Sequence, residues 1–148
     1  MTNHTLFLTV NSILIINLSK PKIMSARSTL IEFNNITDYL LILTNSNLSH
    51  GVWNGGPATV IQPGAKGQVI GNNESNGFMT GDQGSLSYAV IGVDNNAPNK
   101  IASIGMNWDN PYTGSNGYSA SCSAESLTLN YSGGSGDNST ITFDFSNS

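Results

Sequence analysis

From Arg27 onward, apolar and polar residues alternate with the period of two that sends successive side chains to opposite faces of a strand. "RSTLIEF" alternates up to the turn cluster "NNITD"; "YLLILTN" follows, and then "LSHGVW", which stops at "NGGP". Gly, Pro or Asn stands at each break, residues that tolerate turn dihedrals. In "GSLSYAV", Leu86, Tyr88 and Val90 share one face while Ser85, Ser87 and Ala89 share the other. The same pattern groups Ile104, Met106 and Trp108 in "IGMNW", Leu127, Leu129 and Tyr131 in "ESLTLNY", and Ile141, Phe143 and Phe145 in "STITFDF". No window carries the 3.6-residue period of a long amphipathic helix. About seven to ten short strands, with turns roughly every eight to twelve residues, predict an all-β fold: a single antiparallel β-sandwich with one face of each strand in the core. "GGSGDNS", residues 133–139, reads as a long hairpin loop, and neither an internal repeat nor a linker is visible.

Length and charge narrow the picture. At 148 residues the chain fits one domain. Residues 1–24 are expected to form an N-terminal extension and residues 25–148 the sandwich, because "MSARSTLIEF" from Met24 leads straight into the first strand. The apolar run of residues 6–17, "LFLTVNSILIIN", is too short for a bilayer-spanning helix and is broken by Asn11 and Ser12. Its first Lys, Lys20, follows the run, whereas a signal peptide carries its basic residues ahead of it. Charged residues make up only 9% of the chain, against roughly 25% in ordinary domains, so uncharged Asn, Ser, Thr and Gly keep the surface polar. With 5 Lys+Arg, 9 Asp+Glu and a net charge of −4, the chain offers no footprint for phosphate backbones, and nucleic acid is not an expected partner. The single cysteine, Cys122, cannot close an intramolecular disulfide and reads as a small strand residue.

Reactive chemistry is sparse. The two histidines are His4, in the extension, and His50, which reads as a partly buried strand residue. Ser49 beside it does not make a nucleophile, since no G-x-S-x-G elbow occurs. The acidic residues are scattered without a suggestive pair, and no G-x-G-x-x-G, P-loop or H-E-x-x-H is present. "DNNAPN" and "GDNST" read as solvated turns that do not match an EF-hand loop. Catalysis is therefore not expected, and neither a metal nor a cofactor. Gly, Asn, Ser and aromatic residues remain, the composition of a protein that recognises neutral polar groups by stacking and hydrogen bonds.

Three segments in order, "LSHGVW", "NGFMTGDQGSLSYAV" and "MNWDNPYTGSN", resemble the aegerolysins, small acidic β-sandwich proteins of fungi and bacteria. That family carries a Ser-Trp-Gly-x-Trp segment, a Gly-Thr-x-Gly turn leading into a strand, and a Trp-Asp-Cys-Pro-Trp-Gly-Ser segment. The resemblance covers about residues 27–145, and its most specific part matches at Trp108, Asp109, Pro111, Gly114 and Ser115, with Thr113 inserted. His50 stands where the family has Trp, Val52 where a basic residue is common, Asn110 in place of Cys, and Tyr112 in place of the second Trp. The strand from Thr80 to Tyr88 is also similar to one in actinoporins, although residues 1–24 lack the charge pattern of the amphipathic helix those proteins insert.

The resemblance implies a membrane-binding, cytolysin-like protein, secreted or released to act at membranes, with no clear signal peptide in this sequence. It would recognise a sphingolipid headgroup, with or without sterol, as the targeting part of a pore-forming or toxic system with a larger pore-forming partner. Tyr and Trp suit such a surface, because their rings are apolar while the O–H or N–H stays hydrated. An aromatic face can also hold an ammonium by cation–π attraction, worth about 1–2 kcal/mol when desolvated. The candidate lipid-binding residues are Trp108, Tyr112 and Tyr118 with Trp53 as a second wall, and Glu74 and Asp109 as polar partners. For Trp108 the alternative is a core position, since its face carries Ile104 and Met106; for Tyr112 and Asp109 it is a turn. Two other functions stay open: a lectin-like carbohydrate-binding module, marked by haemagglutination that a simple sugar abolishes, and a ligand-free structural or stress protein, which shows neither behaviour.

Overall fold

The computed structural model describes residues 25–148, and the expected extension, residues 1–24, lies outside the described residues. Ten strands follow in chain order: β1 (Ser28–Asn35), β2 (Leu40–His50), β3 (Val52–Trp53), β4 (Val60–Ile61), β5 (Gln68–Glu74), β6 (Asp82–Asp94), β7 (Ala97–Asn110), β8 (Gly117–Cys122), β9 (Leu127–Gly133) and β10 (Asn138–Asn147). They form two five-stranded sheets, β3-β5-β1-β10-β9 and β4-β2-β6-β7-β8. The fold is the expected β-sandwich.

Alternation does most of the folding work. The inner faces carry Ile31, Phe33, Ile141, Phe143 and Phe145 from one sheet and Leu86, Tyr88, Val90, Ile104, Met106 and Trp108 from the other, all buried in a single cluster. Burying a large apolar side chain of this kind stabilises the fold by about 1.5–3 kcal/mol. Tyr88 is accommodated because its hydroxyl donates to the Ala58 carbonyl at 2.7 Å. The β6–β7 hairpin turns at Asn95 and Asn96, both with positive φ (49° and 62°), the conformation that suits the right-handed twist of the flanking strands.

Three local features depart from the expectations. β1 and β10 run parallel, from Ser28 opposite Asn138 to Asn35 opposite Phe145, whereas the other pairings are antiparallel. Two strands so far apart in sequence have no hairpin to impose antiparallel pairing. "YLLILTN" and "LSHGVW" are not separate strands: β2 runs through the exposed polar stretch Thr44–Asn47, with register shifts at Leu43/Asn45 and Leu48/His50 that absorb the interrupted alternation. Tyr131, expected inside with Leu127 and Leu129, is 46% exposed on the edge strand β9, its ring 6.0 Å from Phe143 and 6.2 Å from Tyr118.

Candidate functional site

β6 begins, and β2, β5 and β7 end, at one end of the sandwich, where β1 and β10 also start. The loop of residues 75–81 and the loop of residues 111–116 rise there side by side. Phe78 at the crest of the first loop is 92% exposed, with Met79 and Val52 about half exposed beside it. Isolated surface hydrophobics are ordinary, but an apolar cluster carried on a loop end marks an interaction surface.

This apolar tip is held in place. Met79 has φ of +56°, a left-handed conformation uncommon for a residue with a side chain. The turn around it is closed by Thr80, whose Oγ1 accepts from the Gly77 N–H at 3.1 Å and donates to the Gly77 carbonyl at 3.0 Å. Backbone strain of this kind costs on the order of 1–3 kcal/mol and persists where the surroundings fix it, commonly at a binding surface. Between the loops runs a groove of about 570 Å³ lined by Ala26, Val52, Glu74, Phe78, Met79 and Tyr112. A second groove of about 560 Å³ adjoins it across Met79 and Tyr112 and includes His50 and Asp109.

Arg27 anchors the other loop. Its guanidinium donates from Nε to the Pro111 carbonyl at 3.0 Å and from Nη2 to the Tyr112 carbonyl, pairs with Asp137, and stands 5.3 Å over the Tyr112 ring. One face of Tyr112 is thus already occupied by a cation of the protein itself, which leaves its edge and other face for a ligand.

The predicted site residues divide into two groups. Glu74, Asp109 and Tyr112 come together at the grooves, with Glu74 half-buried and accepting from Asn54 Nδ2. Trp108 does not: it is 1% exposed, packed under Gly84 with its ring 5.8 Å from Trp53, so of the two expectations the core position holds and Trp108 is not part of the surface. Trp53 is half-buried, folded over Gly71 against Trp108 rather than forming a second wall. Tyr118 is half-buried at the β8–β9 edge, where its hydroxyl donates to the Gly134 carbonyl at 2.8 Å and lies 3.0 Å from Ser139 Oγ. His50 is exposed, not partly buried, with Nδ1 3.1 Å from Gln83 Oε1.

Sequence reasoning missed Phe78, Met79, Val52 and Arg27. The signal for the first two was present, an adjacent apolar pair inside "NGFMTG" that serves no strand. It also missed a layer of buried polar side chains beneath the loops: Thr29, Asn73 and Ser139 from one sheet, Asp82 and Asn110 from the other. Asn110 ties the layer together, donating from Nδ2 to the carbonyls of Ser28 at 3.1 Å and Asp137 at 3.0 Å. Burial pushes the Asp82 carboxyl up to about 6; Thr29 opposes the rise, Asp109 adds to it, and Arg27 and Asn110 oppose it.

No family model matches the chain. Over 80 residues, 54% of this chain, it is 35% identical to an uncharacterized protein of Dictyostelium discoideum, and it spans only 7% of the length of that relative. Among solved structures it is similar to the lipid binding protein Nakanori, with a TM-score of 0.65 at 13% identity, covering 82% of this chain and 71% of that one. It is likewise similar to the RahU protein in complex with TRIS, with a TM-score of 0.62 at 17% identity, covering 84% of this chain and 97% of that one. At such identities the likeness is one of fold, and it fits the aegerolysin-like sandwich that the sequence resembles.

Proposed function

We propose that this protein binds lipid bilayers through the loop end of the sandwich, and that its preferred surface contains sphingolipid together with sterol. The observation that carries the reading is the apolar tip, with Phe78 92% exposed beside Met79 and Val52 and above the Tyr112 groove. Burying such side chains in the interfacial region of a bilayer is worth on the order of 1.5–3 kcal/mol for each that is fully covered. Tyr112 suits the headgroup level, where an apolar ring with a hydrated hydroxyl is at home. That a solved protein of this fold is described as lipid binding supports the same reading. With a net charge of −4, attachment rests on apolar contact and headgroup recognition rather than on attraction to anionic lipid. In this reading the protein is the targeting part of a pore-forming or toxic system, handing a larger partner to the membrane.

Vesicle sedimentation tests it. The full chain is expected to pellet with vesicles of phosphatidylcholine, sphingomyelin and cholesterol, with little dependence on salt because screening weakens only charge-driven attachment. The double variant Phe78→Ser, Met79→Ser is expected to stay in the supernatant while its unfolding curve remains that of the parent. Equal pelleting of parent and variant, or no binding to any vesicle, overturns the proposal; equal binding to plain phosphatidylcholine overturns its sphingolipid part.

A further inference from the structure

The polar layer beneath the docking end holds more acceptors than donors. Asp82 Oδ1 and Oδ2, Asn73 Oδ1 and Asn110 Oδ1 are all buried without a hydrogen-bond partner. The amide nitrogens nearby are already committed, Asn73 Nδ2 to the His50 carbonyl at 3.1 Å and Asn110 Nδ2 to the carbonyls of Ser28 and Asp137. Thr29 and Asn110 favour the charged form, yet neither makes a direct hydrogen bond to the carboxyl oxygens, so a carboxylate here is a buried charge short of donors, whereas a carboxylic acid brings an O–H that an orphaned acceptor can use. Asp82 and Asn110 face each other across the β6–β7 pair, so an orphaned acceptor stands beside it.

The position of this pair gives the proton a consequence. Asp82 opens β6 directly after the Phe78–Met79 loop, and Asn110 closes β7 directly before Pro111 and Tyr112. Both loops of the docking end spring from these two residues. We propose that the Asp82 carboxyl is a proton-operated latch beneath the docking end: protonated, it donates to Asn110 Oδ1 and holds the two loops in the arrangement that a bilayer binds. This rests on the bilayer-docking reading of the same end.

The energetics point the same way. The charged groups acting on Asp82 are Asp109, which disfavours its ionisation, and Arg27, which favours it but is engaged by Asp137 and the 111–112 carbonyls. Glu74 is bonded to Asn54, and His50 lies exposed against Gln83. Docking strips water from the loop end and so favours the neutral acid further, and by reciprocity proton uptake strengthens docking. The folded-state value of about 6, above the ordinary 3.8, means that the folded protein holds the proton more tightly than the unfolded chain between those limits. Stability is therefore highest at acid pH, declines as pH rises through that window, and stays low above it.

The test compares the parent with Asp82→Asn, which keeps a donor without the charge, and with His50→Gln, which removes the imidazole exposed at the same end of the sandwich. Sedimentation with phosphatidylcholine–sphingomyelin–cholesterol vesicles is expected to be at least about threefold tighter for the parent near pH 5.5 than near pH 7.5. Asp82→Asn should bind at both pH values within about twofold of the acid-state parent, and His50→Gln should keep the parental dependence. A flat parental profile, or an unchanged profile in Asp82→Asn, overturns the latch. Absence of binding at every pH overturns the docking reading alone, and urea unfolding then judges the latch. The midpoint of Asp82→Asn should exceed the parent's at neutral pH, with the gap narrowing as pH falls; a constant gap overturns the latch.

Discussion

Replacing Trp108 by Ala separates a core from a surface assignment. The indole is 1% exposed, its ring meets Trp53 at 5.8 Å, and it fills space that Gly84 leaves open by lacking a Cβ. An aromatic ring of this kind buries on the order of 200 Å², which at about 25 cal/mol per Å² corresponds to roughly 5 kcal/mol. Two effects reduce the loss. Trp53 is only half-buried and can lean into part of the cavity, and Trp108 Nε1 has no hydrogen-bond partner, so truncation also removes an unsatisfied buried donor whose desolvation cost is about 1 kcal/mol or more. The expected net destabilisation is about 3–4 kcal/mol, within the range for large-to-small core changes. Urea unfolding followed by circular dichroism measures it. The emission of Trp53, the other tryptophan, should shift to longer wavelength in the variant. A loss below about 1 kcal/mol, the size of an ordinary surface substitution, would refute the core placement.

Two further substitutions test the packing and the loops. Gly84→Ala should destabilise the protein by about 3 kcal/mol in the same urea assay, because overpacking strains a filled core. A Cβ there would stand 2.5 Å from Trp108 Cζ2 and 2.6 Å from the Asn47 carbonyl oxygen, so parental stability would contradict the approach. Tyr112→Ala should weaken vesicle binding about tenfold, equivalent to about 1.4 kcal/mol. Its effect on unfolding should stay under about 1 kcal/mol, since the Arg27 hydrogen bonds to the 111–112 loop are made to backbone carbonyls and only the contact over the ring is lost.

The strands of the core were legible because burial and alternation are the same fact seen twice. Leu86, Tyr88 and Val90, or Ile104, Met106 and Trp108, read as a face in the sequence and are a face in the sandwich. The face shared with Ile104 and Met106 offered the core as the alternative for Trp108, while the match of its segment to the aegerolysins argued for the surface. Long-range pairing was not legible: nothing in "STLIEFNN" or "NSTITFDFSN" records that Ser28 lies beside Asn138, or that the two strands run parallel. The polar layer was hidden for a related reason. "GDQG" holds no apolar residue that would mark it as buried, and Asp82 is enclosed because Thr29 and Asn110 arrive from distant parts of the chain. At the loop end the aromatic residues drew attention, but Trp53 and Trp108 pack on each other, and the exposed apolar side chains are the plainer Phe78 and Met79.

The central claim, that one end of this sandwich meets a bilayer, is tested most directly by placing a fluorescent probe at each end. Phe78 and Val93 are both largely exposed, at 92% and 78%, and β6, which separates them, spans about 40 Å at roughly 3.3 Å per residue. With Cys122 replaced by Ser, an environment-sensitive dye is attached through Phe78→Cys in one protein and Val93→Cys in another. Nitroxide-labelled lipids in sphingomyelin–cholesterol vesicles then report which dye enters the interface. The account predicts a blue shift and quenching at position 78 with neither at position 93. Quenching at 93 alone, or equal response at both positions, would contradict it.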